Sequence, residues 1–185
     1  GVEPTAENVL SGEYSVALPF KMVYMEENIT DVERAFIDFL ASTDGLEILE
    51  SKGTIVDTTN AEAFNMSKYG DLSGNIVMGG STWTEDAVKA LAEEFTALFP
   101  KVTYTYDATG SGAGVKNAIS GTYTLGFASR EIKESELAEG ITLVTLCMDG
   151  IALVVNPSNN VTDISKDQIK DVYTGNITEW SELTK

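Results

Sequence analysis

The chain has 185 residues, 43% of them hydrophobic, which is enough for one domain with one substantial core. Its 29 acidic residues against 12 basic give a net charge of −17, a surface that repels nucleic acid and anionic lipid. Histidine is absent, which removes Ser-His-Asp and Cys-His catalysis together with every histidine metal site.

Gly1-Val2-Glu3-Pro4 lacks the basic start and apolar core of a signal peptide, so any targeting segment is expected to have been removed or to lie outside this sequence. A short helical turn follows, from Pro4 to Leu10. Tyr14 to Met25 is rich in β-forming and aromatic residues and predicts a long strand, with Pro19 marking it as a connection or a sheet edge. Thr30-Asp31-Val32-Glu33 is a capping box, and Val32, Ala35, Phe36, Phe39 and Leu40 make one apolar helical face behind it. A second helix around Leu46 to Ser51 ends at Gly53, and Thr54 to Val56 is too brief to classify. From Asp57 to Gly74 no periodicity persists, the composition of a linker or surface crossing.

Strand and helix then alternate. The expected elements are strand Asn75 to Met78, helix Thr84 to Phe99, strand Val102 to Tyr106, helix Gly112 to Ile119 and strand Thr124 to Ala128. Such alternation predicts an α/β fold with a mostly parallel central sheet flanked by helices. Two more strands are expected at Ile141 to Leu146 and Ile151 to Asn156, then a helix capped by Ser165-Lys166-Asp167-Gln168 and running to about Tyr173. The longest apolar-rich run, Ile141 to Asn156, is broken by Asp149 and Gly150 and falls short of the roughly 20 residues of a membrane helix, so no membrane insertion is expected. Cys147, the single cysteine, reads as a small buried hydrophobe.

Two strands end in similar loops, Gly79-Gly80-Ser81-Thr82-Trp83 and Gly110-Ser111-Gly112-Ala113-Gly114, each opening into a helix. Glycine admits close backbone approach, first-turn N–H groups lack internal partners, and the helix dipole favours negative charge, so both loops are candidate anion sites. Ser81, Thr82 and Ser111 add hydroxyl donors, and a third strand end, Ala128-Ser129-Arg130, adds a guanidinium at the same sheet edge. Each feature alone also reads as tight packing, an ordinary N-cap or a surface arginine; the joint placement carries the expectation. The glycine spacing does not fit a dinucleotide fingerprint, and no Gly-Lys-Ser/Thr phosphate loop is present. A Ser111–Lys116 catalytic pair is disfavoured because a lysine one turn into a helix is usually solvated.

Gly80-Ser81-Thr82, Gly110-Ser111-Gly112, Leu125-Gly126-Phe127-Ala128-Ser129-Arg130 and Asp149-Gly150-Ile151-Ala152 resemble, in order, the motifs of phosphate-binding proteins of bacterial ABC importers. Val154-Val155-Asn156-Pro157 and the segment Ile169 to Trp180 are similar to that family too. The resemblance implies one lobe of a type II periplasmic binding protein. Residues 1–56 resemble the family's C-terminal part and residues 75–185 its N-terminal part, with 57–74 as junction, so the chain resembles a single circularly permuted lobe.

The resemblance further implies a phosphate site of Ser81, Thr82, Trp83, Ser111, Gly112 and Arg130, with Ser129 and Asp149 behind them and Asp149 as a partner for Arg130. Thr82 and Trp83 would supply a hydroxyl and a backbone N–H, and Ser111 both. Arg130 stands where some members carry an aspartate acceptor, which leaves open phosphate against sulfate. No enzymatic step, cofactor or metal is expected. The implied partners are inorganic phosphate, a transporter permease, and either a second lobe or another copy of the chain; the implied location is extracytoplasmic, with lipid anchoring of the parent protein left open. With half of the grip absent, phosphate affinity of this chain by itself is expected to be weak. The alternative is an interaction module of a receptor-like surface protein that has lost transport.

Overall fold

The computed structural model describes residues 1–183. In chain order the elements are α1 (Ala6–Leu10), β1 (Ala17–Tyr24), α2 (Asp31–Leu40), α3 (Thr43–Ser51), β2 (Gly74–Gly80), α4 (Glu85–Leu98), β3 (Val102–Asp107), α5 (Ser111–Ile119), β4 (Leu125–Ala128), α6 (Glu134–Leu137), β5 (Thr142–Gly150) and α7 (Lys166–Thr174). The strands form one sheet in the order β3-β2-β4-β1-β5. Strand β2 runs parallel to β3 and β4, while β1 is antiparallel to both β4 and β5, so β1 alone is reversed.

Helix α2 starts where its capping box says it should: Thr30 accepts from Val32 N–H and Glu33 returns to Thr30 N–H. Its apolar stripe then meets α4 across one face of the sheet, with Phe36 and Phe95 edge to face at 5.2 Å. Phe36, Phe39, Phe95 and Phe127 are fully buried there, each worth roughly 1.5–3 kcal/mol in removal from water. Helix α5 covers the opposite face, packing Val115 and Ala118 with Val23, Ala128, Ile132 and Ile141. Three layers result, with the carboxyl ends of β2, β3 and β4 at one edge.

Four features differ from the sequence expectation. Strand β1 lies inside the sheet rather than at its edge. Pro19 is tolerated because β4 pairs only with Lys21, Met22 and Val23, so the side facing β4 asks nothing of Pro19, and the register shift between Phe20 and Lys21 follows at once. Segment 57–73 is a crossing that contributes to the core: Phe64 sits edge to face with Phe39 at 5.3 Å and stacks on Tyr69, while Lys68 and Tyr69 both reach Asp38 on α2. Residues 151–156 form no strand. They run past the end of the sheet, held by Ile151 N–H to Val16 O at 3.0 Å and by Tyr14 OH to Ile151 O at 2.6 Å, and Val154 is 89% exposed. Helix α6 is an addition, a single turn closed by Glu136 on Lys133 N–H.

Candidate functional site

The loops after β2, β3 and β4 come together at the carboxyl edge of the sheet because three glycines allow it. Gly80 holds φ +141°, and a Cβ there would fall 2.1 Å from Phe127 O. A Cβ on Gly114 would fall 2.6 Å from Gly80 Cα, and one on Gly126 would fall 2.4 Å from Gly114 O. Helix α5 therefore rides directly on the backbones of β2 and β4, which brings its first turn against Ser129. Sequence reasoning placed Gly114 among the loop glycines; buried one turn inside the helix, it serves packing.

Three hydroxyls meet at this junction. Ser81 Oγ donates to Ser129 Oγ at 2.9 Å, Ser111 Oγ lies 3.4 Å from Ser129 Oγ, and Ser129 N–H donates to Ser111 Oγ at 3.1 Å. Of the two hydroxyl hydrogens on Ser111 and Ser129, one serves their mutual contact and the other has no acceptor among the described residues. Ser81 is 2% exposed and is gripped from below: its carbonyl accepts from Tyr106 OH at 2.7 Å and from Thr84 Oγ1 at 3.0 Å. Burial pushes the Tyr106 phenol up to about 12, which keeps it a neutral donor. Tyr106 and Thr84 were not foreseen from sequence; their signal was the buried register of a strand end and a threonine at the start of the following helix.

Backbone donors surround the hydroxyls. Gly110, at φ +89°, is an N-cap with no side chain to offer, so the N–H groups of Ser111, Gly112 and Ala113 have no acceptor among the described residues. Thr82 N–H is likewise open and its side chain is exposed. Trp83 N–H is already committed to Ser81 Oγ at 3.2 Å, and Trp83, 60% exposed, lines a separate recess with Phe20, Thr54 and Asp149. Arg130 leaves the same edge, but its guanidinium is seated on Glu136 at 2.8 and 2.9 Å. That arginine holds the Glu136 carboxyl down to about 2.

The expected pairing of Asp149 with Arg130 is therefore not formed. Asp149 lies on β5 opposite Leu18, beyond β1, whereas Glu136 is six residues from Arg130 on the adjoining turn. The structure thus gathers Ser81, Thr82, Ser111, Gly112, Ser129 and Arg130 at one edge and leaves Asp149 outside. No group of three or more His, Cys, Asp or Glu residues placed to hold a metal occurs among the described residues. Unpaired N–H groups, hydroxyl hydrogens and a helix N-terminus form a donor-rich pole that complements acceptor oxygens.

Fold and site define a class: an open-sheet α/β domain with a donor cluster at its strand ends. The chain belongs to the PBP superfamily, whose domain profile matches residues 58–185. It is 34% identical to phosphate-binding protein PstS 2 of Streptococcus agalactiae over 185 residues, all of this chain and 62% of that protein. The chain thus spans less than two thirds of the length of the streptococcal relatives it matches. A phosphate-binding protein of a phosphate ABC transporter from Streptococcus pneumoniae superposes with a TM-score of 0.92 at 30% identity, covering all of this chain and 70% of that one. A phosphate ABC transporter substrate-binding protein from Clostridium perfringens, solved with bound phosphate, gives a TM-score of 0.51 at 41% identity over 60% of this chain and 45% of its own.

Proposed function

We propose that this chain is the ligand-contacting lobe of an extracytoplasmic phosphate receptor serving an ABC importer, and that phosphate sits at the pole formed by Ser81, Thr82, Ser111, Gly112, Ser129 and Arg130. The observation that carries the reading is the set of open N–H groups at Ser111, Gly112 and Ala113 beside the linked hydroxyls of Ser81, Ser129 and Ser111. A site of donors takes an anion without chemistry, and binding with no reaction step is what an importer's receptor requires. The names of the relatives, and the phosphate in the C. perfringens protein, support phosphate over other oxyanions.

The permuted order is part of the same proposal. The streptococcal match extends over the whole chain, whereas the C. perfringens match covers 60% of it, about the share made up by residues 75–185. Residues 1–56 then complete the lobe from the other side of the junction. A second lobe belongs against the face where Leu153, Val154 and Val155 run beside Val2 and Val16, since a groove of about 510 Å³ lined by these residues with Tyr173 and Trp180 leaves apolar surface uncovered. The same exposed face is what favours the alternative, an interaction module that pairs with another copy through that surface.

Phosphate contacts from one lobe alone bury only part of the anion, so affinity is weak. Phosphorus-31 line broadening on titrating the wild-type chain should reveal this binding, and Ser111→Ala and Ser129→Ala should remove it. Equal broadening in all three chains would overturn the reading.

A further inference from the structure

The Arg130 guanidinium is only partly spent. Of its five N–H donors, Nη1 gives one to Glu131 O at 2.9 Å and one to Glu136 Oε2 at 2.9 Å, and Nη2 gives one to Glu136 Oε1 at 2.8 Å. Glu136 therefore occupies the end-on edge of the fork. The side edge, made of Nε–H and the second Nη2 hydrogen, has no acceptor among the described residues. Two parallel donors on one planar edge match two oxygens of a tetrahedral anion.

Glu136 is itself held. Its Oε2 also accepts from Lys133 N–H at 2.9 Å, and its side chain is only 18% exposed. The segment from Arg130 to Glu136 is thus a closed ring: the guanidinium leads to the carboxylate, and the carboxylate ties back to the chain at Lys133. With three N–H groups on it, Glu136 has little freedom to follow a moving arginine. An arginine with no such partner would sample many rotamers and lose that freedom on gripping a ligand.

We propose that Glu136 is the positioning residue of the anion site, fixing Arg130 so that its Nε/Nη2 edge grips the oxyanion held by the Ser81, Ser111 and Ser129 cluster. The inference rests on the phosphate reading above. It makes a prediction opposite in sign to simple electrostatics. Removing a negative charge near a bound anion should strengthen binding, whereas loss of positioning should weaken it.

The test is phosphate titration of the full chain followed by two-dimensional NMR, reading the Arg130 Nε–H signal together with the Ser111 and Gly112 amides. In the wild type all three should shift. Glu136→Ala should weaken binding roughly tenfold, the scale of a lost charge-assisted contact, and abolish the Nε–H response while the Ser111 amide still moves. Glu136→Asp, which keeps the charge but is one methylene shorter, should weaken binding as well and covers the case of an unfolded alanine variant. Tighter binding by Glu136→Ala, unchanged binding by Glu136→Asp, or a silent Nε–H in the wild type would each overturn the proposal. Absence of any Ser111 or Gly112 shift in the wild type would instead overturn the phosphate reading on which it rests.

Discussion

Helix α5 offers a paired perturbation in which two Gly→Ala changes two residues apart should act in opposite directions. At Gly114 the new Cβ would stand 2.6 Å from Gly80 Cα, 2.7 Å from Phe127 O and 3.0 Å from Gly79 O. All three are backbone atoms of β2 and β4, which cannot swing aside as a side chain can. Carbon contacts relax at about 3.5–4.0 Å, so the helix must lift by about an ångström. Overpacking of that kind costs about 1–3 kcal/mol, and better helix propensity returns about 1 kcal/mol of it. The net expectation is a loss of up to about 2 kcal/mol, centred on about 1 kcal/mol, or a fall in Tm of roughly 2–4 °C at that centre for a chain of this size. Gly112 has nothing within 4 Å of its Cβ position, so Gly112→Ala should gain up to about 1 kcal/mol. Thermal and urea melts followed by circular dichroism read both. A Gly114→Ala chain that gains stability as Gly112→Ala does, or a Gly112→Ala chain that loses as much as Gly114→Ala, would refute the claim that α5 is seated on bare backbone.

Two further outcomes follow from the supports of the site. Tyr106→Phe removes the donor to Ser81 O while leaving that of Thr84, and should cost about 1 kcal/mol. In an alkaline absorbance titration it should also remove a late tyrosine step near 12, since burial raises Tyr106 there. Glu136 titrates near 2 in the folded chain against an ordinary 4.5, so between those values the unfolded chain binds more protons. Its stabilisation is complete above about pH 4.5 and is lost as pH falls toward 2. Glu136→Gln should therefore be less stable than the wild type at neutral pH, with a flatter acid limb in an equilibrium urea series over that range.

Much of the fold could be read from local signals that tertiary packing did not override. The Thr30 and Ser165 capping boxes begin helices where expected, and the strand-helix alternation from Asn75 onward yields parallel pairing of β2 with β3 and β4. The misses are all cases where a distant partner decides. Pro19 marks a strand edge in any local reading, yet β4 is too short to reach it. Ile151 to Asn156 has the composition of a strand, but among the described residues its one backbone bond to a distant segment is Ile151 N–H to Val16 O. Among the site residues, glycine and serine positions were legible from loop chemistry, while the direction of the Arg130 side chain was not. Its choice of Glu136 over Asp149 depends on which element the sheet order places beside it, and the signal that could have found it was the Lys133 to Glu136 capping spacing.

Where phosphate lands on the chain decides whether the β2, β3 and β4 strand ends form an oxyanion site. Titrating the labelled chain with phosphate, against a matched chloride series, and mapping every amide is the most direct measurement. The largest shifts are expected at Thr82, Ser111, Gly112 and Ala113, whose N–H groups are open, and they should be lost in Ser111→Ala. Shifts confined to other surfaces, or identical in the chloride series, would contradict the assignment of the β2, β3 and β4 strand ends as an oxyanion site.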